Sequence, residues 1–180
     1  MIDTHPEFET QRLRLRGFMA DDLPYLQAFA VRPAFWRYLP GPEMSADLVE
    51  AFLAARLANP GQADWHFCLE HAALGLPIGT ARLTIASSEH RQGNIAVSLD
   101  SDHWRQGYGR EALLELVRFG FADLGLHRLA ALTDAENLAG QALLAACGFR
   151  SEGRLRENFL VRGTWRDSLL YARLESDQAT

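Results

Sequence analysis

The chain has 180 residues, of which 48% are hydrophobic and 23% are charged, and this composition is typical of one globular domain. All 18 basic residues are arginine, so the chain contains no lysine. A Schiff-base lysine, a pyridoxal phosphate lysine and the lysine of a P-loop are therefore excluded. The net charge of −5 gives no general reason to expect a nucleic-acid partner.

The first residues carry neither a basic nor an apolar signal region, and no run of about 18 apolar residues follows. Cys68 and Cys147 are far apart and lack metal-binding spacing, which favours reduced thiols. The six histidines lack the HxxxH and HExxH spacings of zinc sites. We therefore predict a cytoplasmic protein with no membrane segment and no bound metal.

The first part of the chain predicts a strand followed by two helices. Leucine and arginine alternate from Arg12 to Arg16, which is typical of a strand with its leucines in a core and its arginines facing water or an anionic partner. Asp21-Asp22 is expected to cap a helix that contains Pro24 in its first turn. A second helix is predicted from about Ser45 to Leu57, and Asn59-Pro60-Gly61 is expected to end it.

The middle of the chain predicts three strands and then a long helix. Short β-rich runs separated by turn residues are typical of an antiparallel meander. The runs are Trp65 to Leu69, Ile78 to Ile85 and Ile95 to Leu99. From about Gly107 to Leu124, apolar residues recur at helical spacing, and Gly125 follows as a stop signal.

The last part predicts a strand from Arg128 to Thr133, a short helix from Leu138 to Cys147, and two closing strands near Phe149 to Arg156 and Arg166 to Leu174. The predicted order is β-α-α-β-β-β-α-β-α-β-β. No repeat or linker divides residues 1–180, so we expect a single α/β domain around one mixed sheet.

The strongest local signal for a binding site is the glycine-rich turn before the long helix. Gly107 and Gly109 allow the backbone to approach a ligand closely, and the N–H groups at a helix start can bind a phosphate. Arg105 and Arg110 flank these groups and add positive charge. A tight turn with solvated arginines is the alternative. A dinucleotide-binding motif is disfavoured because Ala112 replaces the third glycine of GxGxxG.

The chain resembles the GNAT N-acetyltransferases, and most of all their branch of RimJ/RimL-type ribosomal-protein N-terminal acetyltransferases. The matching stretches are Glu9 to Arg16, His103 to Ala112, Asn137 to Leu155 with Gly148-Phe149 and Glu152-Gly153-Arg154-Leu155, and Asp167 to Ala172, which matches the last strand of that branch. They span nearly the whole chain. The resemblance implies a GNAT-like mixed, mostly antiparallel central sheet flanked by helices, in a single N-acetyltransferase domain over residues 1–180.

The resemblance also implies that acetyl-coenzyme A (acetyl-CoA) binds at the glycine-rich turn and along the preceding strand. Turn amides would hold the pyrophosphate, and the strand backbone would pair with the pantetheine arm and polarise the thioester carbonyl. Asn137 is expected to contact this co-substrate or simply to cap its helix. The implied binding residues are Val97, Ser98, Leu99, Arg105, Gln106, Gly107, Tyr108, Gly109, Arg110 and Asn137.

Four positions depart from the family pattern. Trp104 stands where Arg or Gln is often found, although an aromatic residue is common there in this branch. Gly140 replaces a frequent serine, Leu144 replaces the general-acid tyrosine of many relatives, and Asn94 replaces their glutamate base. The chain therefore lacks the usual proton-transfer groups at these positions.

Transfer to an amine needs the ammonium deprotonated first, because only the neutral amine has a lone pair for attack. Glu152, which matches a glutamate implicated in this branch, is the predicted base, acting directly or through water; the alternative is a charged strand residue paired with an arginine such as Arg154 or Arg150. Asp167, Glu89 and His90 are the reserves. If none serves, water can take the proton, because positioning supplies much of the rate.

The expected acceptor is a primary amine, either of a protein N-terminus or of a small molecule. Phe35, Trp36 and Tyr38 are expected to form one wall of the acceptor site, or else to pack into the core. The hairpin from Asn158 to Thr164 is expected to form the opposite wall. Because Cys147 is better explained as a buried thiol than as a nucleophile, we expect direct transfer in a ternary complex.

The resemblance is compatible with a homodimer, because members of this branch often form dimers. The rival hypothesis is a CoA-binding GNAT-like domain with a regulatory or assembly role and little catalysis, and it is motivated by the departures from the family pattern.

Overall fold

The computed structural model describes residues 5–40, 45–58 and 63–177. In these ranges eight strands form one sheet in the order β1-β2-β3-β4-β5-β6-β8-β7. The strands are β1 (Phe8–Glu9), β2 (Leu13–Arg16), β3 (Asp64–His71), β4 (Leu76–Ser87), β5 (Gln92–Leu99), β6 (Arg128–Asp134), β7 (Arg150–Val161) and β8 (Thr164–Leu174). The helices are α1 (Leu23–Ala30), α2 (Pro33–Trp36), α3 (Ala46–Ala58), α4 (Tyr108–Arg118) and α5 (Leu138–Ala146).

The sheet confirms the predicted fold class. Within the described ranges, neighbouring strands are antiparallel except β5 and β6, which run parallel. The element order is the predicted one with two short additions, the two-residue β1 and the four-residue α2. Both are too short to show a periodic pattern in the sequence.

Helix α4 covers the central strands and forms the main core with them. Its residues Ala112, Leu113 and Leu116 are at most 2% exposed, and they share that core with Leu13 and Leu15 of β2, which are fully buried. The leucines of β2 therefore face the core, as predicted. The predicted long helix is not uniform, because α4 gives way to a wider π-helical turn over Phe119–Asp123.

A second, smaller core lies between α1 and α3. It is formed by Leu26 and Phe29 of α1 and by Val49 and Leu53 of α3, all at most 3% exposed. Phe35 of α2 also packs against this core. None of the described helices is long and apolar enough to span a membrane.

The arginines of β2 do not all face water. Arg16 is 3% exposed, and its guanidinium lies 2.7 Å from an oxygen of Asp22 and 2.6 Å from one of Glu70. Asp22 also accepts a hydrogen bond from the Met19 N–H, so it fixes the turn before α1 and makes no side-chain cap on that helix. The predicted stop signal at residues 59–61 lies outside the described residues.

Candidate active site

The central strands β5 and β6 diverge after a short stretch of pairing. They pair over Gln92 to Asn94 and Arg128 to Ala130, and beyond these residues each strand continues without the other. Strand β5 stays paired with β4, and β6 stays paired with β8. The two edges that face the gap therefore lack a strand partner, and an extended ligand can pair with such an edge.

A cavity of about 150 Å³ lies in this gap. Its walls come from β5, β6, α4, α5, the loop after α2 and the β7–β8 hairpin. They are formed by Tyr38, Leu39, Pro40, Ile95, Ala96, Val97, Ser98, Leu113, Ala131, Leu132, Thr133, Asp134, Asn137, Gly140, Leu143, Leu144, Phe159, Val161, Arg166 and Ser168. The divergence of the two strands thus brings together residues from most of the chain.

Strand β6 divides the cavity into two sides. Leu129 and Ala131 are buried with α4 in the main core. Asp134 instead contacts Arg166 of β8, beside the hairpin. Because successive side chains of a strand point to opposite faces, Thr133 lies on the face of Leu129 and Ala131, which we call the helix side. Asp134 lies on the opposite face, which we call the hairpin side.

The turn between β5 and α4 has the features of a phosphate site. Arg105 and Gly107 both have left-handed backbones, with φ of 60° and 86°. The first bond inside α4 runs from the Glu111 N–H to the Gly107 carbonyl. The N–H groups of Tyr108–Arg110 precede that bond and have no partner within the helix. The exposed side chains of Arg105 and Arg110 add two cations beside these free donors.

Arg12, the residue before β2, holds this turn in place. It donates to the Gln106 carbonyl at 2.8 Å, and its guanidinium lies 4.5 Å from the centre of the Tyr108 ring. It also donates to Glu111 Oε2 at 2.8 Å, while Glu111 Oε1 accepts from the Thr10 hydroxyl at 2.5 Å. The expected anionic partner of Arg12 is therefore a residue of the chain itself, 99 positions away.

The turn adjoins the helix side of the cavity. The Trp104 indole N–H donates to the Leu99 carbonyl at 2.9 Å, which ties the turn to the end of β5. A Cβ on Gly109 would lie 3.3 Å from Leu143, a residue of the cavity wall. Of the three strand residues predicted to bind the co-substrate, Val97 and Ser98 line the cavity and Leu99 does not.

Helix α5 begins at the cavity wall. Asn137 is its N-cap and accepts a hydrogen bond from the Gly140 N–H at 2.9 Å, so the predicted capping role is observed. The Asn137 amide also lines the cavity. A Cβ on Gly140 would lie 2.6 Å from Asn137 Nδ2 and 2.8 Å from Thr133 Oγ1. The serine common in relatives would therefore need its neighbours to shift here.

The predicted aromatic wall is divided between the cavity and the core. Tyr38 lines the cavity. The Phe35 ring packs 5.2 Å from that of Phe29, and Trp36 is 8% exposed with its indole N–H bonded to the Ala30 carbonyl. The structure therefore brings Tyr38 to the site and leaves Phe35 and Trp36 in core packing, the alternative considered for these aromatics.

The hairpin side carries a buried ion pair. Arg166 donates to both oxygens of Asp134, at 2.8 and 3.0 Å, and lies 2.8 Å from Glu136. The carboxylates of Asp134 and Glu136 outnumber the single guanidinium of Arg166, so this group of three side chains has a net negative charge. Among the described residues of the cavity wall, Asp134 carries the only carboxylate. Phe159 and Val161 complete this side, where the hairpin wall was predicted.

Glu152, the predicted base, lies outside the cavity wall. Its two carboxylate oxygens accept hydrogen bonds from the Arg128 guanidinium, and this contact lowers the pKa of Glu152. Arg128 begins β6, at the end away from the cavity-lining residues 131–134. The structure therefore does not bring Glu152 to the site, and its ion-pair partner is Arg128 and neither Arg154 nor Arg150.

The reserve bases also lie outside the cavity wall. Asp167 accepts from the Glu157 N–H at 2.8 Å and from Arg154 at 2.6 Å, and these bonds lower the pKa of Asp167. Glu89 and His90 are exposed in the turn between β4 and β5. Across the described ranges, no three potential metal ligands cluster together.

The chain matches the family model of the Acetyltransferase (GNAT) domain over residues 12–150. This chain belongs to the GNAT acetyltransferase family. It is therefore an acyltransferase, and the predicted family and enzyme class are confirmed. The matched range includes β2, the glycine-rich turn and α5.

This GNAT acetyltransferase is 29% identical to the uncharacterized N-acetyltransferase YoaA of Bacillus subtilis, over 93% of this chain and 96% of YoaA. It is also 29% identical to the spermidine N(1)-acetyltransferase of Vibrio cholerae, over 58% of this chain and 60% of that one. The solved structure of the ribosomal-protein-S5-alanine acetyltransferase from Vibrio fischeri superposes with a TM-score of 0.83 at 22% identity, over 96% of this chain and 98% of that one. The acetyltransferase thus has the fold of a ribosomal-protein acetyltransferase, as its sequence resemblance predicted.

Proposed function

We propose that this GNAT acetyltransferase moves an acetyl group from acetyl-CoA to a primary amine, by direct transfer while both substrates are bound. The gap between β5 and β6 carries the proposal. It sets a free strand edge beside a helix start with unpaired N–H groups, and acetyl-CoA needs both features. An extended pantetheine arm pairs with the edge, and a pyrophosphate accepts from the helix amides.

The residues around the turn fit the co-substrate. Gly107 keeps a left-handed backbone, and a Cβ there would lie 3.1 Å from Arg12 Nη2, so the turn has little room for a side chain. Arg105 and Arg110 supply charge that persists at any working pH because a guanidinium does not deprotonate in proteins. When bound, acetyl-CoA supplies an acetyl group already activated as a thioester. The free edge of β5 at Val97 and Ser98 would orient it.

The hairpin side would bind the acceptor. Tyr38, Phe159 and Val161 offer an aromatic and apolar wall, and the charge of Asp134 attracts an ammonium ion. Both Asp134 oxygens are held by Arg166, so we assign Asp134 to attraction and leave proton removal to water. An amine flanked by an apolar or aromatic group fits this side, whether it is a protein N-terminus or a small amine.

The groups in the cavity wall support direct transfer. Its described residues include no cysteine, and burial raises the pKa of the Cys147 thiol, which keeps that sulfur protonated and unreactive. We therefore assign no acyl-enzyme step to a cysteine, and the amine nitrogen bonds to the acetyl carbon as the carbon–sulfur bond breaks.

The rival function is CoA binding with little catalysis, and one observation favours it. No described residue of the cavity wall carries an unpaired carboxylate, and Asn94 and Leu144 lack the usual base and acid. Positioning of two substrates, however, supplies about 7 to 11 kcal/mol of a reaction barrier, so a dedicated base is not required for transfer from an activated thioester.

Calorimetric titration with acetyl-CoA, followed by a thiol-release assay with small amines and short peptides, separates the two functions. The proposal expects saturable binding and acceptor-dependent thiol release. Binding with no release by any acceptor favours the rival, and no binding excludes both. The intact mass after incubation with acetyl-CoA alone must stay unchanged; an added acetyl group on the protein would contradict direct transfer.

A further inference from the structure

Thr133 is a polar residue on the helix side that neither the sequence motifs nor the proposed function accounts for. It follows the last residue of β6 that pairs with β5 by three positions, so it faces the gap where the strands have separated. Its neighbours on the same face, Leu129 and Ala131, are buried in the main core. The Thr133 side chain is half-buried and lines the cavity.

The Thr133 hydroxyl has no hydrogen-bond partner within residues 5–40, 45–58 and 63–177, unlike Thr10 and Thr84, whose hydroxyls donate to carboxylates. A Cβ on Gly140 would lie 2.8 Å from the Thr133 oxygen and 2.6 Å from Asn137 Nδ2. Both donors therefore converge on the cavity wall beside a residue without a side chain. Thr133, Asn137 and Gly140 all line the cavity.

The remaining helix-side wall is apolar. Leu113, Leu143 and Leu144 supply its apolar side chains, and Thr133 and Asn137 supply hydrogen-bond donors. Tyr38 and Arg166 belong to the hairpin side. A group that leaves the reaction on the helix side with negative charge can therefore accept a hydrogen bond from the Thr133 hydroxyl, which has no partner among the described residues.

We propose that the Thr133 hydroxyl donates a hydrogen bond to the sulfur of the leaving thiolate, which makes Thr133 a catalytic residue; this rests on the proposed function. As the nitrogen–carbon bond forms, the carbon–sulfur electron pair moves to sulfur. The amine proton passes to water, and the thiolate takes a proton from water on release. Thr133 stays protonated and stabilises the charge on sulfur, as a preorganised donor does.

The test compares Thr133→Val, which keeps the shape and removes the hydroxyl, with Thr133→Ser, which restores it. The first readout is the ultraviolet absorbance of the thiolate of bound free CoA against pH. Thr133→Val is expected to raise the pKa of the bound thiol by about one unit, and Thr133→Ser to restore it, because a hydrogen bond to a charged group is lost and regained. An unchanged thiol titration in Thr133→Val overturns the inference.

The second readout is kinetic. Thr133→Val is expected to lower kcat about tenfold to a hundredfold, with acetyl-CoA affinity changed less than about twofold, because the bond to sulfur strengthens only as charge develops. Thr80→Val is the matched control, since Thr80 is a half-buried strand threonine outside the cavity wall. It should leave both readouts unchanged. Equal losses in Thr133→Val and Thr80→Val would mark a merely structural effect and overturn the inference.

The two proposals fail in distinguishable ways. If the unaltered protein binds no acetyl-CoA, or binds it and transfers nothing to any amine, the proposed function fails. If the unaltered protein transfers acetyl groups while Thr133→Val keeps the thiol titration and kcat of the parent, only the role of Thr133 fails.

Discussion

The carboxylate of Glu111 on α4 accepts hydrogen bonds from both the guanidinium and the backbone N–H of Arg12, the residue before β2. These hydrogen bonds connect the start of β2 to the first turn of α4, directly after the glycine-rich turn. Partial burial alone would raise the pKa of Glu111, but the hydrogen bonds from Thr10 and Arg12 outweigh it and lower that pKa. The negative charge at position 111 therefore stabilises the fold.

Glu111→Gln is expected to lower the free energy of unfolding at pH 7 by about 1 to 3 kcal/mol, because hydrogen bonds to a charged acceptor are weakened. The folded-state pKa of Glu111 is lowered, so its contribution is present above the ordinary value of 4.5 and is lost as pH falls toward the folded value. Urea denaturation at pH 7 and below pH 4.5 measures both effects.

In that experiment the difference between Glu111→Gln and the parent must shrink at the lower pH. Glu7→Gln is the control, because its ion pair with Arg14 is exposed and should contribute less than about 1 kcal/mol. A difference that stays constant across the pH range would contradict the assigned role of Glu111.

Gly107→Asp is expected to weaken acetyl-CoA binding by at least about tenfold, because it strains a left-handed backbone and sets a negative charge beside the phosphate donors. Gly75→Asp is the matched control: Gly75 also has a positive φ, of 66°, but lies in the β3–β4 turn. Calorimetry should find the parent affinity in Gly75→Asp. If Gly107→Asp and Gly75→Asp bind acetyl-CoA equally well, the phosphates do not bind at the glycine-rich turn.

Asp134→Asn is expected to raise the KM for the acceptor amine about tenfold while acetyl-CoA affinity stays the same, because the attraction for an ammonium ion is removed from the hairpin side only. Steady-state kinetics, with the most active acceptor found in the thiol-release assay, measures the KM for the amine. Calorimetry measures the affinity for acetyl-CoA. A parallel loss of both affinities would argue instead for a general loosening of the cavity around Arg166.

Glu152→Gln is expected to leave the pH dependence of turnover unchanged and to lower the free energy of unfolding by less than about 1 kcal/mol, because it removes only a partly exposed ion pair with Arg128. Rate profiles from acid to neutral pH, at saturating acetyl-CoA, provide the check. A selective loss of turnover at low pH would instead return Glu152 to the role of base.

The sequence predicted the features that depend on neighbouring residues. The strand of β2, the glycine-rich turn and the Asn137 cap are local patterns, and each was found where its residues stand. The ion pairs were not predictable in this way. Arg12 and Glu111 are 99 positions apart, so only the packing of α4 on β2 makes them partners.

Glu152 and Thr133 illustrate the same limit within the site. A bulge between Ser151 and Gly153 sets the register of β7 against β8, and it leaves Glu152 near the start of β6, by Arg128. The Thr133 hydroxyl lies against Gly140, and this contact forms only when α5 packs on β6. Register and close approach between elements are tertiary properties, which local patterns do not encode.

The short pairing of β5 with β6 has a mechanical consequence. Strands β5 and β6 pair only from Gln92 to Asn94 and from Arg128 to Ala130. The sheet therefore has two parts, β1 to β5 and β6 to β8, which are joined by this short stretch of pairing. A ligand bound in the gap would contact both parts of the sheet and hold them together. The resistance of the whole protein to unfolding would then rise and fall with the supply of acetyl-CoA, so the co-substrate would be part of what keeps the enzyme intact.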